Sequence, residues 1–523
     1  MSDSFIETWN ISKPARQSRG GVVTSQHRLA SAAGARVLKD GGNAVDAAVT
    51  TALAIGALEP WMSGLGGGGV MLVYVAAEQR TYAVDFTMVA PAALEPGDYP
   101  LAAGADGDLF AWPAVAGDHN VSGPLSFAVP GVVAGMESAL ERFGTLSFAD
   151  AIAPAVEHAR QGMAIDWYAS LKIASAAATL SRFDESARVY LPHGHVPCGE
   201  WGGAPPHIQL GNLHATLTRL QGAGPRDFYE GQIAQTLVAD MHAVGGRVRA
   251  DDLRNYSARI SPVQPSDYRG HEIFAAPGLT AGPTLLDTLD RLQKRWSPGE
   301  MPDQQTYSAY AQSLTESYAH RLATLGDIDD QQAPACTTHL SVADKHGNVV
   351  ALTQTLLSIF GSKVMLPASG LMWNNGIMWF DPRPGQPNSI APGKRPLTNM
   401  CPTLLARSDG ARFALGASGG RRIMPAVFQL ASFLSDYGMG LEAAMHQGRI
   451  DYSAGATVSV DRSLPTDVLT ALQREHKAVA ATHGVYPALY ACPNTAGVLA
   501  DGSLEGAAFV MSPWAEVAVT EDF

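Results

Sequence analysis

The sequence predicts a large fold in which α-helices and β-strands are mixed, and three observations support this. The chain has 523 residues, 46% of them hydrophobic and only 16% charged, which is enough apolar material for a large buried core. Residues 338–355 alternate in polarity as a β-hairpin does, whereas several other stretches repeat apolar residues at helical spacing. The 53 glycines and 33 prolines indicate many turns, since the apolar content is too high for a disordered chain.

Composition disfavours several classes of function. The chain carries 36 lysines and arginines against 49 aspartates and glutamates, a formal net charge of −13, and its basic runs are no longer than pairs such as Arg421-Arg422. Nucleic acids and anionic membranes are therefore not expected partners. The four cysteines form no C-x-x-C pair, so neither a zinc ribbon nor a redox pair is expected. No window of 18 residues is uninterruptedly apolar, which argues against a transmembrane helix.

Helices and a few strands are expected to alternate along the first 336 residues. Asn43 has the character of a helix cap, with apolar residues at helical spacing on either side of it. The expected helices are residues 25–42, 44–58, one that opens within 129–135 and ends at 143, 148–162, a mixed helical stretch 167–189, 213–222, 229–245 and one starting at 284. The expected strands follow the glycines of 64–69 and lie at 82–86 and 271–275, with loops at 92–119 and 191–206.

Two local patterns suggest ligand sites but fit them poorly. Gly64, Gly66 and Gly69 satisfy the G-x-G-x-x-G spacing of dinucleotide sites. That fingerprint follows a strand and opens a helix, whereas here a helix precedes the glycines and a strand follows, so we interpret them as positions of close backbone approach. His193 and His195 lack a third ligand at metal-site spacing. We therefore expect no metal and no cofactor.

Residues 336–355 carry the main candidate site. Two runs of alternating or β-branched residues flank the turn residues 344–348, which predicts a β-hairpin. Thr337 is expected to open the first strand, directly after the polar stretch 327–334, where a chain could be cut. A threonine freed there could act as a nucleophile through its Oγ, with its own α-amine as the base. On spacing alone the simpler interpretation, a hairpin with surface threonines, still holds, and Cys336 is a rival nucleophile.

A pair of glycines forms a second candidate element. Gly419 and Gly420 follow an expected strand at 413–415 and precede expected helices at 425–437 and 441–448. Successive glycine N–H groups after a strand can form an anion-binding nest. The oxygen of an amide carbonyl becomes negative when the carbonyl is attacked, and such a nest would stabilise it. The two glycines are therefore candidates for an oxyanion hole.

These stretches together resemble the γ-glutamyltransferase (glutathione hydrolase) family of autoprocessing amidohydrolases. The resemblance covers nearly the whole chain and includes the Thr-Thr-His sequence at 337–339, the Lys-Arg-Pro-Leu run at 394–397 and the Gly-Gly-Asn-Ala run at 41–44. It implies the α+β class, as a four-layer αββα sandwich of the N-terminal-nucleophile hydrolase type. A cytoplasmic relative is expected, because residues 1–8 include acids and lack the apolar segment of a secretory signal.

The resemblance also implies roles for single residues by motif match. Thr337 would be the nucleophile, and the chain would cut its own bond between Cys336 and Thr337. Thr355 would be a second hydroxyl that supports Thr337. Gly419 and Gly420 would supply the amides of the oxyanion hole.

The acyl-binding positions depart from the family pattern. Relatives place an Arg that binds the substrate's α-carboxylate where this chain has Thr87, and their Ser-Ser pair is Thr398 and Asn399 here. The positions that would face the substrate's ammonium group are Leu357, Gly376 and Trp379. Donors of hydrogen bonds are kept while ion-pairing groups are lost, which should weaken recognition of a glutamyl group by several kcal/mol.

The sequence therefore predicts an autoprocessing amidohydrolase or acyltransferase that cleaves a small-acid amide through a threonine acyl-enzyme. The acyl group would be oxamate-like or dicarboxylic, and water or an amine would accept it. Arg421 stands where the family usually has Ser and could bind an acyl carboxylate, although a surface Arg is the simpler interpretation.

The predicted organisation is one intertwined domain made of two pieces. Residues 1–336 would form the large subunit and residues 337–523 the small one, held as a heterodimer that could assemble further with its own copies. One alternative is an ordinary γ-glutamyl hydrolase or transferase acting on glutathione and γ-glutamyl amides. The other is an uncleaved, non-catalytic binding protein.

Overall fold

Two seven-stranded antiparallel sheets lie face to face at the centre of the molecule, and helices cover the outer side of each. This computed structural model describes residues 8–105, 112–325, 335–453, 455 and 457–523. The order helix, sheet, sheet, helix is that of the predicted αββα sandwich, and the α+β class is confirmed. The expected loop at 327–334 lies outside the described residues.

The predicted helices begin and end close to their expected limits, whereas those at 250–254, 304–325 and 466–475 were not predicted. They are α1 (Arg28–Lys39), α2 (Ala44–Leu58), α3 (Val132–Phe143), α4 (Phe148–Gln161), α5 (Trp167–Leu180), α6 (Asp184–Tyr190), α7 (Leu213–Ala223), α8 (Gln232–Ala243), α9 (Ala250–Arg254), α10 (Gly282–Arg295), α11 (Gln304–Leu325), α12 (Ile423–Asp436), α13 (Leu441–His446) and α14 (Thr466–Glu475). Asn43 caps α2 as predicted: its side chain accepts from the N–H of Asp46, whose carboxylate accepts from the N–H of Asn43. None of the helices within the described ranges is long and apolar enough to cross a membrane.

The strands of the two large sheets come from distant parts of the chain. The strands are β1 (Arg16–Ser18), β2 (Gly21–Ser25), β3 (Gly68–Val75), β4 (Arg80–Phe86), β5 (Leu101–Ala105), β6 (Pro113–Val115), β7 (Met163–Ala164), β8 (His207–Ile208), β9 (Arg259–Val263), β10 (Ser266–Tyr268), β11 (His271–Ala275), β12 (Ala335–Asp344), β13 (Val349–Ser358), β14 (Met365–Leu366), β15 (Leu371–Met372), β16 (Thr403–Ala406), β17 (Arg412–Ser418), β18 (Ile450–Asp451), β19 (Val458–Asp461), β20 (Ala478–Ala481), β21 (Cys492–Val498), β22 (Leu504–Ala508) and β23 (Glu516–Val519). One sheet has the order β23-β2-β12-β13-β3-β4-β9, and the other has the order β1-β22-β21-β17-β16-β11-β10. Each sheet therefore interleaves strands from both sides of the bond between residues 336 and 337.

Three apolar layers fill the sandwich. Helix α2 is buried on nearly all faces, because its small and β-branched residues pack between the sheet of β12 and helices α1, α3 and α4. Residues such as Val70, Ala351 and Ala414 fill the space between the two sheets. Helices α10, α11 and α12 enclose a third layer on the sheet of β17. The predicted hairpin thus lies in a sheet that is covered on both sides.

The hairpin β12–β13 has the predicted turn and is anchored at it. Ser341 pairs with Ala351 and Val342 with Val350, so the two strands run antiparallel through the predicted alternating residues. The carboxylate of Asp344 accepts from the N–H of Asn348 at 3.0 Å and from the N–H of Ala44, the first residue of α2, at 2.9 Å. The turn is therefore tied to the start of the most buried helix.

Some elements differ from the prediction. Helix α11, with 22 residues, was not predicted; its buried face carries Tyr307, Tyr310, Leu314 and Tyr318, an aromatic stripe at helical spacing. The edge strand β9 was also not predicted, since four of its five residues are exposed and give no apolar alternation. The expected loop at 92–119 contains the short hairpin β5–β6. Strand β12 begins at Ala335, so Thr337 is its third residue and does not open it.

Candidate active site

Thr337 and Thr355 meet where the pairing of β12 and β13 is interrupted. Cys336 pairs with Leu357 and Thr338 with Gln354, so two residues of β13 oppose Thr337 alone. This is a β-bulge, which turns side chains out of the regular ladder. The Oγ of Thr337 lies 3.4 Å from the Oγ of Thr355. Both side chains are buried, with exposures of 5% and 0%, which rules out the simpler interpretation of surface threonines.

Leu357 holds the second hydroxyl in place. Its N–H donates to the Oγ of Thr355 at 2.8 Å. Its φ of +90° is unusual for a residue that carries a side chain and costs on the order of 1 kcal/mol or more. The strained residue is also the strand partner of Cys336, at the bond that the sequence predicts to be cut. Backbone strain therefore coincides with the predicted cleavage position.

His339 is part of the Thr-Thr-His motif but does not have the setting of a general base. Its ring nitrogens lie 2.9 Å from the Oγ of Thr353 and 3.0 Å from the Oγ of Ser341. Burial lowers its pKa to about 3, so the ring is neutral. A Cβ on Gly416 would come within 2.2 Å of the ring, so this position of β17 in the opposite sheet has room only for glycine. His339 packs the two sheets together beside the hydroxyl pair.

The predicted glycine pair lies between β17 and α12. Gly419 has a φ of +133° and Gly420 a φ of +60°, both in the region that favours glycine. The 3-10 turn Gly420–Arg422 packs against β12 and leads directly into α12, so the glycines lie at a helix N-terminus beside the strand that carries Thr337. N–H groups at such a position favour a negative charge. Ala491 packs closely against this turn, since a Cβ added to Gly419 would lie 3.0 Å from the Cα of Ala491.

Thr87 is buried and contacts the guanidinium of Arg395, a residue to which the sequence assigned no role. The hydroxyl of Thr87 donates to Asp85 at 2.7 Å and accepts from Nη1 of Arg395 at 2.8 Å. Arg395 also donates to the carbonyl of Thr87 at 2.8 Å. Arg395 belongs to the Lys-Arg-Pro-Leu run, which marked the family resemblance without suggesting a role for this side chain. Nη1 of Arg395 also lies 3.3 Å from the carboxylate of Asp85, so this guanidinium is held by Thr87 and Asp85 together.

Thr398 and Asn399 lie side by side beneath a second arginine, Arg321. The hydroxyl of Thr398 donates to the carbonyl of Leu279 at 3.1 Å, and its own carbonyl accepts from Nη2 of Arg321 at 2.8 Å. The amide oxygen of Asn399 accepts from the same nitrogen at 3.4 Å. The sequence reasoning did not find Arg321, because it belongs to the unpredicted helix α11.

The three positions predicted to face a substrate ammonium, Leu357, Gly376 and Trp379, are all buried and packed tightly. The N–H of Gly376 donates to Asn374 at 2.9 Å, and a Cβ there would come within 2.7 Å of both Ala128 and Met88. Trp379 is 4% exposed and packs in the apolar layer that also holds Leu357. These positions therefore offer apolar surface and no ionic group.

Arg421 follows the glycine pair directly. Its guanidinium carbon lies 6.0 Å from the ring centre of Trp112, and its carbonyl accepts from the hydroxyl of Tyr318 at 2.6 Å. The side chain is half-buried. Its place beside the glycines follows from the sequence, and a contact with substrate stays a prediction. Within the described part of the chain, no group of three or more His, Cys, Asp or Glu residues could hold a metal ion.

The fold defines a structural class, the four-layer αββα sandwich. The chain belongs to the gamma-glutamyltranspeptidase family, whose model matches residues 30–336 and 330–508. It is 32% identical to an acylase ACY 1 proenzyme from Pseudomonas sp. (strain V22) over 97% of this chain and 95% of that one. It is 31% identical to the glutathione hydrolase proenzyme of Bacillus subtilis (strain 168) over 87% of this chain and 84% of that one.

Among solved structures, the fold is similar to that of cephalosporin acylase from Bacillus halodurans. The TM-score is 0.84, and the match covers 99% of each chain at 22% sequence identity. At that identity the likeness concerns the fold. The predicted family is confirmed, and the protein is a hydrolase of this family.

Proposed function

We propose that this protein is an autoprocessing amidohydrolase that works through a threonine acyl-enzyme formed on Thr337. The observation that supports this most directly is the buried pair of Thr337 and Thr355, with 3.4 Å between their hydroxyl oxygens, at the bulge that follows Cys336. Descriptions of the relatives as proenzymes fit a chain that matures by a cut. The mature protein would be a heterodimer of residues 1–336 and 337–523.

The proposed maturation uses the same oxygen as the later reaction. The Oγ of Thr337 attacks the carbonyl of Cys336, the C–N bond breaks as an ester forms, and the proton passes to the freed amine. Water then hydrolyses the ester and leaves Thr337 as a new N-terminus. Its α-amine can take the hydroxyl proton when the Oγ attacks the carbonyl of an external amide. The leaving amine receives that proton, and water or another amine accepts the acyl group.

The amides of Gly419 and Gly420 would stabilise the negative oxygen of the tetrahedral intermediate. Their positive φ values and their place at the start of α12 beside β12 support this role. Removal of a single oxyanion-hole donor typically costs about 10²–10³ in kcat. The hydroxyl of Thr355 would orient the Oγ of Thr337, because the Oγ of Thr355 is itself held by a hydrogen bond from the N–H of Leu357 at 2.8 Å.

The acyl group that we propose is a small acid, oxamate-like or dicarboxylic, without a free ammonium. The apolar packing of Gly376 and Trp379 supports this, since neither offers a partner for an ammonium. The similarity to an acylase proenzyme fits an acyl group other than glutamyl. The similarity to a glutathione hydrolase proenzyme favours a second candidate, an ordinary γ-glutamyl hydrolase or transferase.

Gel electrophoresis and intact mass of the purified protein test the cut. We expect the 55.0-kDa chain to separate into two pieces at 336/337, and Thr337→Ala to remain whole while Thr337→Ser still processes. Thr338→Val is the matched control, since this neighbour is fully buried and its hydroxyl has no hydrogen-bond partner among the described residues. Cys336→Ala should process as well. A wild-type protein that stays whole would favour the uncleaved binding protein.

A panel of p-nitroanilides tests the reaction and separates the two candidates. Intact mass of the 337–523 piece should show an acyl adduct during turnover, whereas the uncut chain of Thr337→Ala should show none. Faster release of p-nitroaniline from the glutaryl or oxalyl compound than from the γ-glutamyl compound is expected. The reverse order would make the protein an ordinary γ-glutamyl enzyme.

A further inference from the structure

Arg321 is a buried cation that lies beside the predicted acyl-binding residues. It is 5% exposed, on the last turns of α11. Its Nη1 donates to the carbonyl of Thr280 and the hydroxyl of Thr284, both at 3.0 Å. Its Nη2 donates to the carbonyl of Thr398 at 2.8 Å and the amide oxygen of Asn399 at 3.4 Å. The terminal N–H groups are thus all used by neutral acceptors.

Among the described residues, no anionic group compensates the charge of Arg321. No carboxylate of the described residues lies within ion-pair distance of it, and the nearby titratable groups are Tyr318 and Cys401. Burial lowers the pKa of the guanidinium, in keeping with a cation that lacks an anion. Buried charges in proteins are normally paired. An anion is therefore the missing partner in this part of the molecule.

Asn399 shows where such an anion would bind. Because its Oδ1 accepts from Arg321, its Nδ2 must point away from the guanidinium. That Nδ2 is buried and has no hydrogen-bond partner among the described residues. An unsatisfied buried donor is costly and is normally met by an acceptor. Arg321 therefore orients the side-chain amide of Asn399 so that its Nδ2 is free to donate. The guanidinium also adds a positive electrostatic potential at this donor.

We propose that Arg321 is a positioning residue that makes Asn399 a donor to a carboxylate of the acyl group. The substrates would be amides of a dicarboxylic acid, in which one carbonyl forms the acyl-enzyme and the other carboxylate meets Nδ2 of Asn399. This rests on the proposed function and deepens it. It also joins the two predicted pieces, since Arg321 precedes residue 337 in the chain and Asn399 follows it.

The test compares two acyl groups of equal shape. Glutaryl-p-nitroanilide carries the terminal carboxylate, and its terminal carboxamide is the neutral counterpart. We expect the wild type to prefer the carboxylate by about tenfold or more in kcat/KM, the worth of a charge-assisted hydrogen bond. Arg321→Met, Asn399→Leu and Asn399→Asp should lose this preference, and Arg321→Lys should retain part of it. Arg412→Met, which removes a guanidinium stacked on Tyr74, should keep the preference.

A double-mutant cycle separates positioning from a general loss of structure. If Arg321 acts through Asn399, adding Arg321→Met to Asn399→Leu should change the preference little further. Additive losses, or single variants that keep the wild-type preference, would overturn the proposal.

The proposed function has its own readout, the cut at 336/337 and turnover of the neutral carboxamide. If neither compound is turned over, thermal shifts with glutaric acid monoamide, which keeps one carboxylate, and with the neutral diamide measure the same preference without catalysis. A wild type stabilised equally by both would overturn the inference, whatever the state of the reaction.

Discussion

Two neighbouring regions are both buried but built from different chemistry. Around Thr337 the side chains that meet are neutral: a hydroxyl pair at 3.4 Å, and a His339 whose pKa is lowered to about 3. Around Thr87 and Asn399 the side chains are held by guanidinium groups, those of Arg395 and Arg321. If Thr337 acts as proposed, its neutral surroundings leave the hydroxyl proton to be moved by the α-amine, whereas guanidinium groups beside Thr87 and Asn399 would favour a ligand of negative charge.

The difference suggests that the reaction and its specificity can be changed separately. Variants in the hairpin should slow every amide to the same degree, because all share the attacking oxygen. Variants in the recognition region should slow some amides and not others.

Thr355→Val should have the largest effect. It removes the hydroxyl that lies 3.4 Å from the Oγ of Thr337 and accepts from the N–H of Leu357, while the volume changes little. We expect kcat to fall by about 10²–10³ for charged and neutral acyl groups alike, as for other lost groups that orient or stabilise the reacting atoms. Thr355→Ser should recover most of the rate. A fall in kcat confined to one acyl group would contradict the view that the hairpin affects all amides alike.

Gly419→Ala should reduce turnover by about 10²-fold, the order of one lost oxyanion donor. The new Cβ would lie 3.0 Å from the Cα of Ala491 at a φ of +133°, so the turn must move. Gly438→Ala is the matched control: its φ is +60° but nothing lies within 4 Å of its Cβ. The control should lower the melting temperature and leave kcat unchanged. Equal kcat values for the two variants would show that Gly419 does not contribute to an oxyanion hole.

Arg421→Ala should have a smaller and selective effect. If this guanidinium binds the acyl carboxylate, kcat/KM for glutaryl-p-nitroanilide should fall by about tenfold, and that for the neutral carboxamide should not change. Arg422→Ala, next in the chain and bonded to the carbonyl of Ala488, serves as the control. An unchanged kcat/KM on the charged compound would exclude Arg421 as the replacement for the missing family Arg.

His339→Gln should act on stability in a way that depends on pH. Burial lowers the pKa of His339 from 6.5 to about 3, so between these values the unfolded chain binds a proton that the folded chain does not. The contribution of the neutral His339 ring to the free energy of unfolding is complete above about pH 6.5. It is lost as the pH falls below that value, by up to about 1.4 kcal/mol per pH unit.

The melting temperature of His339→Gln should therefore approach that of the wild type between pH 7 and pH 5. Glu59, whose pKa burial raises to about 8, changes stability in the opposite direction but equally in both proteins. His346→Gln, which removes an exposed imidazole from the turn of the hairpin, is the matched control. A constant gap between His339→Gln and wild type at the two pH values would contradict a neutral buried ring.

The sequence predicted what local patterns control. The cap at Asn43, the hairpin and the glycine turn depend on residues a few positions apart, and they lie where predicted. The contacts of the recognition region depend on residues far apart: Arg321 and Thr398 are separated by 77 positions, and Arg395 and Thr87 by 308. No spacing rule reaches that far. The strained φ of Leu357 arises from the bulge, which depends on how two strands align and not on the character of Leu.

The interleaving of the strands has a consequence for the protein after a cut at 336/337. Strand β12 would lie between β2 of the other piece and β13 of its own, and β22 would still pair with β1. The two pieces could separate only by breaking ladders in both sheets at once, which amounts to unfolding the sandwich. The two pieces of a cleaved molecule should therefore stay together. When tagged and untagged populations are mixed and incubated, they should not exchange pieces, so both pieces of every molecule would come from the same original chain.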